Sequence, residues 1–121
     1  MTVMENIKNI TELEDKSLLI VDDDNPFRER LARAMEKKGF KVSQAEGVKK
    51  GIDAVKKENP AFAVVDLRLG DGNGLEVVKE IQNSNSKSRV VMLTGYGNIP
   101  TAVAAIKQGA IDYLSKPADA D

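Results

Sequence analysis

The sequence contains neither cysteine nor histidine. Without cysteine there is no disulfide scaffold, no thiolate chemistry and no Cys-based zinc site. Without histidine, imidazole acid–base catalysis and His metal ligation are excluded. An excess of charge is also lacking. Lys and Arg number 18 against 19 Asp and Glu, for a net charge of −1, so nothing global steers the chain to nucleic acid or to an anionic membrane. Any basic DNA-binding surface is expected outside this chain. No apolar run approaches a membrane span, and the N-terminus has no apolar signal core, so a cytoplasmic chain is expected. The sequon Asn9-Ile10-Thr11 carries no weight without secretion. What remains for chemistry is acids, amides and hydroxyls, helped by Lys and Arg. A chain of 121 residues suits one domain that can bury a core.

Several short apolar runs organise the rest. Residues 1–16 are polar and mixed and read as an N-terminal extension outside the core. Ser17-Leu18-Leu19-Ile20-Val21 is a continuous apolar run closed by Asp22-Asp23-Asp24, the pattern of a strand buried on both faces. Asn25 as cap and Pro26 in the first turn start a helix that Gly39 ends. Its apolar stripe is Phe27, Leu31, Ala34 and Met35. A second strand over 40–45, near a sheet edge, is followed by a helix over 47–58 with Val48, Ile52 and Val55 inward. Asn59-Pro60 stops that helix. A third strand over 61–66 ends in Asp66 and breaks into a loop containing Gly70, Gly72 and Gly74. A helix over 73–83 places Leu75, Val78 and Ile81 inward. The fourth strand covers 89–93, a helix covers 98–108, and the fifth strand covers 111–115.

Strict alternation of strand and helix at this spacing implies an α/β fold. A doubly wound parallel sheet of five strands, order 2-1-3-4-5 with helices on both faces, is expected. In such sheets ligands bind beyond the carboxyl ends of the strands, at the switch point between strands 1 and 3. Strand 1 delivers Asp22, Asp23 and Asp24 to that rim, strand 3 delivers Asp66, strand 4 Thr94 and strand 5 Lys116.

Carboxylates held close together repel, and burial makes their ionisation costlier. A divalent cation resolves the conflict, and an all-oxygen site with open positions suits Mg2+. A carboxylate beside such an ion is a competent nucleophile toward phosphorus, which makes Asp66 the candidate phosphate acceptor. Phosphoryl transfer asks mainly for positioning and charge stabilisation. Lys116 can supply charge to one phosphoryl oxygen. The Thr94 hydroxyl and backbone N–H groups of the Leu67–Arg68 and Gly95 loops can bind the others. Each residue also has a plainer reading. Acids after a strand are often caps, and Asp24 is read as one. Thr94 alone is an ordinary loop threonine, Lys116 alone a solvated charge, and the glycine loop a flexible turn. Their joint placement on four strand ends of one edge is what the plain readings explain poorly.

With Val21-Asp22-Asp23, Asp66 after an apolar strand, Thr94-Gly95, and Tyr113 three residues before Lys116-Pro117, the chain resembles the receiver domain of two-component response regulators. The match runs from about Ser17 to Pro117. The segments 67–74, 94–99 and 116–121 look more narrowly like the redox-responsive RegA, PrrA and ActR regulators. The resemblance implies that Asp66 takes phosphate from a sensor histidine kinase. It implies that Asp23, Asp66 and the backbone carbonyl of Arg68 ligate Mg2+, with Asp22 acting through a water. Thr94 and Lys116 would bind the phosphoryl group, Tyr113 would be the switch aromatic, and the Lys116–Pro117 bond would be cis.

Two departures stand out. Receivers commonly carry proline four residues after the acceptor, where this chain has Gly70, so a looser loop is expected. Arg68 puts a long cation beside the site, to shield the phosphate or to pair with an acid such as Asp71. The family also adds a fifth helix after Lys-Pro, whereas only Ala118 to Asp121 remain here. Residues 17–121 are therefore expected to be a receiver cut short at its C-terminus, with exposed apolar surface, self-association or lowered stability. A homodimer through the face of helix 98–108 and strand 5 is one form this could take. DNA would be bound only through a Fis-type C-terminal domain outside the chain. Two rival functions are a haloacid-dehalogenase-like phosphatase using Asp22 of Asp22-Asp23-Asp24, and a pseudo-receiver that only binds partners. The chain length opposes the first, and the intact acid, Thr and Lys set opposes the second.

Overall fold

The computed structural model describes residues 15–85, 87–95, 103, 107, 109 and 112–116. Its strands are β1 (Ser17–Val21), β2 (Lys41–Ala45), β3 (Phe62–Asp66), β4 (Arg68–Leu69), β5 (Gly72–Asn73), β6 (Arg89–Thr94) and β7 (Asp112–Ser115). Its helices are α1 (Asn25–Lys37), α2 (Val48–Glu58) and α3 (Leu75–Ser84). Five strands form one parallel sheet in the order β2-β1-β3-β6-β7, which is the expected doubly wound order with two short strands inserted in the count. Of the expected helix over 98–108 only Val103 and Lys107 are among the described residues, both helical; the rest of it, most of the N-terminal extension and the Lys116–Pro117 bond lie outside them.

Alternation along each strand divides the core between the two sheet faces. Leu19, Val21, Ala63, Val65, Val90 and Met92 face α2 and α3, which contribute Val48, Val55, Val77, Val78 and Ile81. Leu18 and Ile20 face α1, where Ala32 is buried with Leu31 and Met35 partly so. Both faces of β1 are thus covered, which is why its sequence is a continuous apolar run. Among the described residues no helix is long and apolar enough to cross a membrane.

Three local expectations are corrected. Asn25 is already helical and does not cap α1; the cap is Asp24, in keeping with its plainer reading, and its side chain accepts the Phe27 N–H. Of the expected α1 stripe, Leu31 and Met35 do pack partly buried against the core, but Ala34 is exposed, and Arg28 and Ala32 are the buried residues of the helix. A stripe read from apolar residues alone leaves out Arg28, although its spacing to Ala32 and Met35 places it inward. Finally, the glycine loop after Asp66 is a small antiparallel hairpin, with Arg68 opposite Asn73 and Leu69 opposite Gly72. Helix α3 accordingly starts at Leu75, not Asn73, and the Asn73 carboxamide oxygen accepts the Leu75 N–H at 2.8 Å.

The hairpin is tied at its tip, beside Gly70. Asp71 at its tip reaches α2, where its carboxylate oxygens accept the N–H groups of Val48 at 2.7 Å and Lys49 at 3.1 Å. The return to α3 is tight as well. The Gly74 N–H donates to the Leu67 carbonyl at 2.8 Å, and a methyl group on Gly74 would overlap the Asp66 carbonyl oxygen. That neighbour is backbone and cannot swing aside. Gly74→Ala should therefore destabilise by about 1–3 kcal/mol through overpacking, outweighing any helix-propensity gain of up to about 1 kcal/mol. Urea midpoints of the two proteins check this, and an equal or higher midpoint in the variant would show that the loop yields.

Candidate functional site: an acidic cluster at the strand ends

Parallel pairing of β1 with β3 puts the residues after both strands side by side. Asp22 follows β1, fully buried, and Asp66 ends β3, also buried. Asp23 is exposed at the same rim. Carboxylate oxygens of Asp22, Asp23 and Asp66 all lie within 4.8 Å of one another. Lys116, just past β7, reaches back across the rim. Its Nζ is 3.1 Å from Asp22 Oδ2, 3.2 Å from Asp22 Oδ1 and 3.3 Å from Asp66 Oδ2. Two strand ends are thereby bridged by one ammonium.

Burial and charge act together on these groups. The Asp66 carboxyl is pushed up to about 6, first by burial and then by repulsion from Asp22, against the pull of Lys116 and the Arg68 N–H. Burial works to lower the Lys116 ammonium, but its hydrogen bond to Asp22 and the charges of Asp66 and Asp22 outweigh that. Lys116 is held above the ordinary lysine value. Asp22 Oδ1 also accepts the Asp24 N–H at 2.9 Å. Asp22 Oδ2 has the Lys116 charge at 3.1 Å but accepts no well-formed hydrogen bond. A buried carboxylate oxygen in that state, beside two more acids, fits a hard divalent cation with oxygen ligands.

The other expected residues take the following places. Thr94 ends β6 and is fully buried, and its hydroxyl donates to the Gly95 carbonyl at 3.0 Å. The Arg68 N–H lies 3.4 Å from Asp66 Oδ1, while its side chain is exposed. Asp71 is committed to α2, so the expected Arg68–Asp71 pairing is not made. Tyr113 is partly buried against the larger core, opposite Met92, with Thr94 opposite Ser115. Thr94 and Tyr113 therefore share one face of the sheet.

Two contributors escaped the sequence reading. Arg28 is buried, and its guanidinium donates to the Asp22 carbonyl at 2.8 Å, Asn25 Oδ1 at 2.7 Å and Gln44 Oε1 at 2.9 Å. It fixes the backbone of Asp22 from behind and ties it to β2. Its inward helical spacing was the available signal. The Phe27 ring lies 4.9 Å below Lys116 Nζ in a cation–π contact. No signal in the sequence joins residues so far apart.

A deep acidic rim at the switch point of a five-stranded parallel sheet, bridged by one lysine, defines a class. Residues 18–121 match the family model of the response regulator receiver domain, and the chain belongs to that family. Within it, the chain is 62% identical over 107 residues to the photosynthetic apparatus regulatory protein RegA of Rhodobacter capsulatus, covering 88% of this chain and 58% of that one. It is 60% identical to the acid tolerance regulatory protein ActR of Rhizobium meliloti, covering 88% and 55%. The narrower resemblance to RegA and ActR thus holds, and the chain spans little more than half the length of these relatives. Among solved structures, a response regulator from Burkholderia pseudomallei superposes with a TM-score of 0.80 at 39% identity, covering 87% of this chain and 62% of that chain. That structure holds a phosphorylated aspartic acid, a calcium ion and citrate.

The raised Asp66 value has a consequence for stability. Asp66 holds its proton more tightly when folded, about 6 against 3.8. Its contribution is therefore complete below about 4 and is lost as pH rises through about 6. In metal-free buffer, the stability of wild type relative to Asp66→Asn should fall across that window, by about 1–2 kcal/mol once solvent screening is allowed for. Urea titrations of both proteins with chelator at pH 4, 5, 6 and 7 test it; parallel curves would show that Asp66 is not strained.

Proposed function

We propose that this chain is a phosphoacceptor switch in which Asp66 takes a phosphoryl group from the phosphohistidine of a sensor histidine kinase. The observation that carries this reading is Asp66 itself, buried at the end of β3 with two acids within 4.8 Å and the Lys116 ammonium 3.3 Å away. Asp22, Asp23 and Asp66, with the Arg68 carbonyl, would hold Mg2+. The chemistry a bound Mg2+ supplies is neutralisation of charge between the acids and the phosphoryl oxygens. In the transfer, an Asp66 carboxylate oxygen forms a bond to phosphorus while the N–P bond to the imidazole breaks. Lys116, already at the rim, releases its hold on Asp66 and pairs with a phosphoryl oxygen. Later attack by water breaks the acyl phosphate and returns the free carboxylate and inorganic phosphate.

The switch would run through Thr94. Its hydroxyl leaves the Gly95 carbonyl to donate to the phosphoryl group, and Tyr113, on the same sheet face, moves into the space vacated. Phosphorylation then biases a two-state equilibrium of the face built by 98–108 and β7. Val103 at 43% exposure and Leu114 at 48% are the exposed large apolar side chains among the described residues, and both fall in those segments. They favour a homodimer through this face. Residues 17–121 would form the receiver unit, working in the cytoplasm, with a transcriptional output and DNA contact in a C-terminal domain beyond it, as the regulatory names of RegA and ActR suggest. The rival phosphatase reading is weakened by Asp22, which is fully buried and engaged by Asp24 and Lys116.

Mass spectrometry after incubation with acetyl phosphate and Mg2+ should find one phosphoryl group on wild type and none on Asp66→Ala. Label that survives Asp66→Ala, or Asp22-dependent turnover of phosphate esters, defeats the reading. Because Arg68 is exposed and unpaired with Asp71, its side chain is available to shield the acyl phosphate from water. Arg68→Ala should shorten the lifetime of the phosphorylated protein several-fold, and equal lifetimes would remove that role.

A further inference from the structure

Helix α2 is preceded at its N-cap by Gly47, which brings no side chain to cap its free N–H groups. Asp71 supplies the cap from another segment, 23 residues further along the chain from Val48. The two N–H groups hold the Asp71 carboxyl below the usual carboxylate range, Val48 contributing most. Gly47 makes the approach feasible, since a Cβ there would sit 2.7 Å from Asp71 Oδ1. Taken alone, this is a helix cap worth some stability.

The other side of the same hairpin faces the acids. Arg68, on its first strand, has its N–H 3.4 Å from Asp66 Oδ1. A Cβ on Gly70, the neighbour of Asp71, would lie 3.5 Å from Asp23 Oδ2. The hairpin has only two residue pairs, too few to hold its own position. Leu69, buried beneath it, and Asp71 at its tip tie it down. Helix α2 is in turn seated on the sheet and α3 through Val48, Gly51 and Val55. A rigid line therefore runs from α2 through Asp71 to the segment carrying the Arg68 carbonyl.

We propose that Asp71 is a positioning residue of the acidic site, holding the hairpin over Asp66 and Asp23 so that metal binding and phosphoryl transfer depend on a side chain that touches neither. This rests on the phosphoacceptor reading of the site. It also explains how a loop with Gly70 in place of proline keeps a defined shape, because the tie to α2 does the work of a stiff residue.

Stability and positioning can be separated by a second substitution. Asp71→Ala removes both the cap and the tie. Adding Gly47→Ser to it returns a cap, because Gly47 is extended at φ −165° and a serine hydroxyl there can accept from the first turn of α2. The tie stays broken. Three readouts are taken on the full chain: urea midpoint, Mg2+ affinity by calorimetry, and amide hydrogen exchange over 68–73. Asp71→Ala should lower the midpoint, speed exchange in the hairpin and weaken Mg2+ binding about 10-fold, the scale of lost ligand-supporting contacts. The double variant should regain the midpoint but keep fast hairpin exchange and weak Mg2+ binding. Recovery of Mg2+ affinity together with stability would reduce Asp71 to a cap and overturn the proposal, as would unchanged affinity in Asp71→Ala. A wild type that binds no Mg2+ and accepts no phosphoryl group from acetyl phosphate instead defeats the phosphoacceptor reading, and the positioning role with it.

Discussion

The repulsion among Asp22, Asp23 and Asp66 is the constraint around which this molecule is arranged. Two of the three are buried, so each charge is poorly screened and neither side chain can turn away to water. Lys116 answers them from the far end of the chain, 94 residues after Asp22 and 50 after Asp66. That contact exists only when β7 lies beside β6, β6 beside β3 and β3 beside β1. The ion bridge thus reports completion of the whole sheet. It leaves the rim with more acid than base, the raised carboxyl of Asp66 being the clearest sign. A site held in that condition is poised for a cation and an electrophile.

Supports for the acids come from every side of the rim. Arg28 holds the Asp22 carbonyl from α1, and Gln44 of β2 holds Arg28. Asp24 caps α1 and so starts that helix directly after the acids. Gly74 lets the start of α3 press against the Asp66 carbonyl. Phe27 lies under the Lys116 ammonium. Most of these contacts are made by residues that look ill-placed by local rules: a buried arginine, a glycine at a helix start, an aspartate at a loop tip. Such local conflicts gather at functional sites because the site is what they serve.

Much of the fold could be read directly. The apolar runs at 17–21 and 61–66 carry the mark of strands buried on both faces, and alternation of strand and helix leaves few topologies for a chain of this size. The acids, Thr94 and Lys116 follow as strand-end residues. The misreadings fall where local pattern does not decide. Asn25 and Asp24 are equally good caps by type, and only the backbone decides between them. Arg28 has no place in a stripe read from apolar residues alone, although a buried cation is tolerated where three acceptors converge. The hairpin of β4 and β5 has two residues per strand, too short for alternation to show.

Sequence alone determined which residues could be chemical. The absence of His and Cys left oxygen nucleophiles and amine charges, and the apolar periodicity placed them at one edge of one sheet. Tertiary structure decided what those residues touch. Lys116 bridging two acids, Asp71 capping a distant helix and Arg28 gripping the Asp22 carbonyl are meetings between segments remote in the chain. Hydrophobic periodicity depends on a residue's own neighbours and survives in the linear order. A polar contact depends on distances of about 3 Å and on donor angles, which only the packed molecule sets.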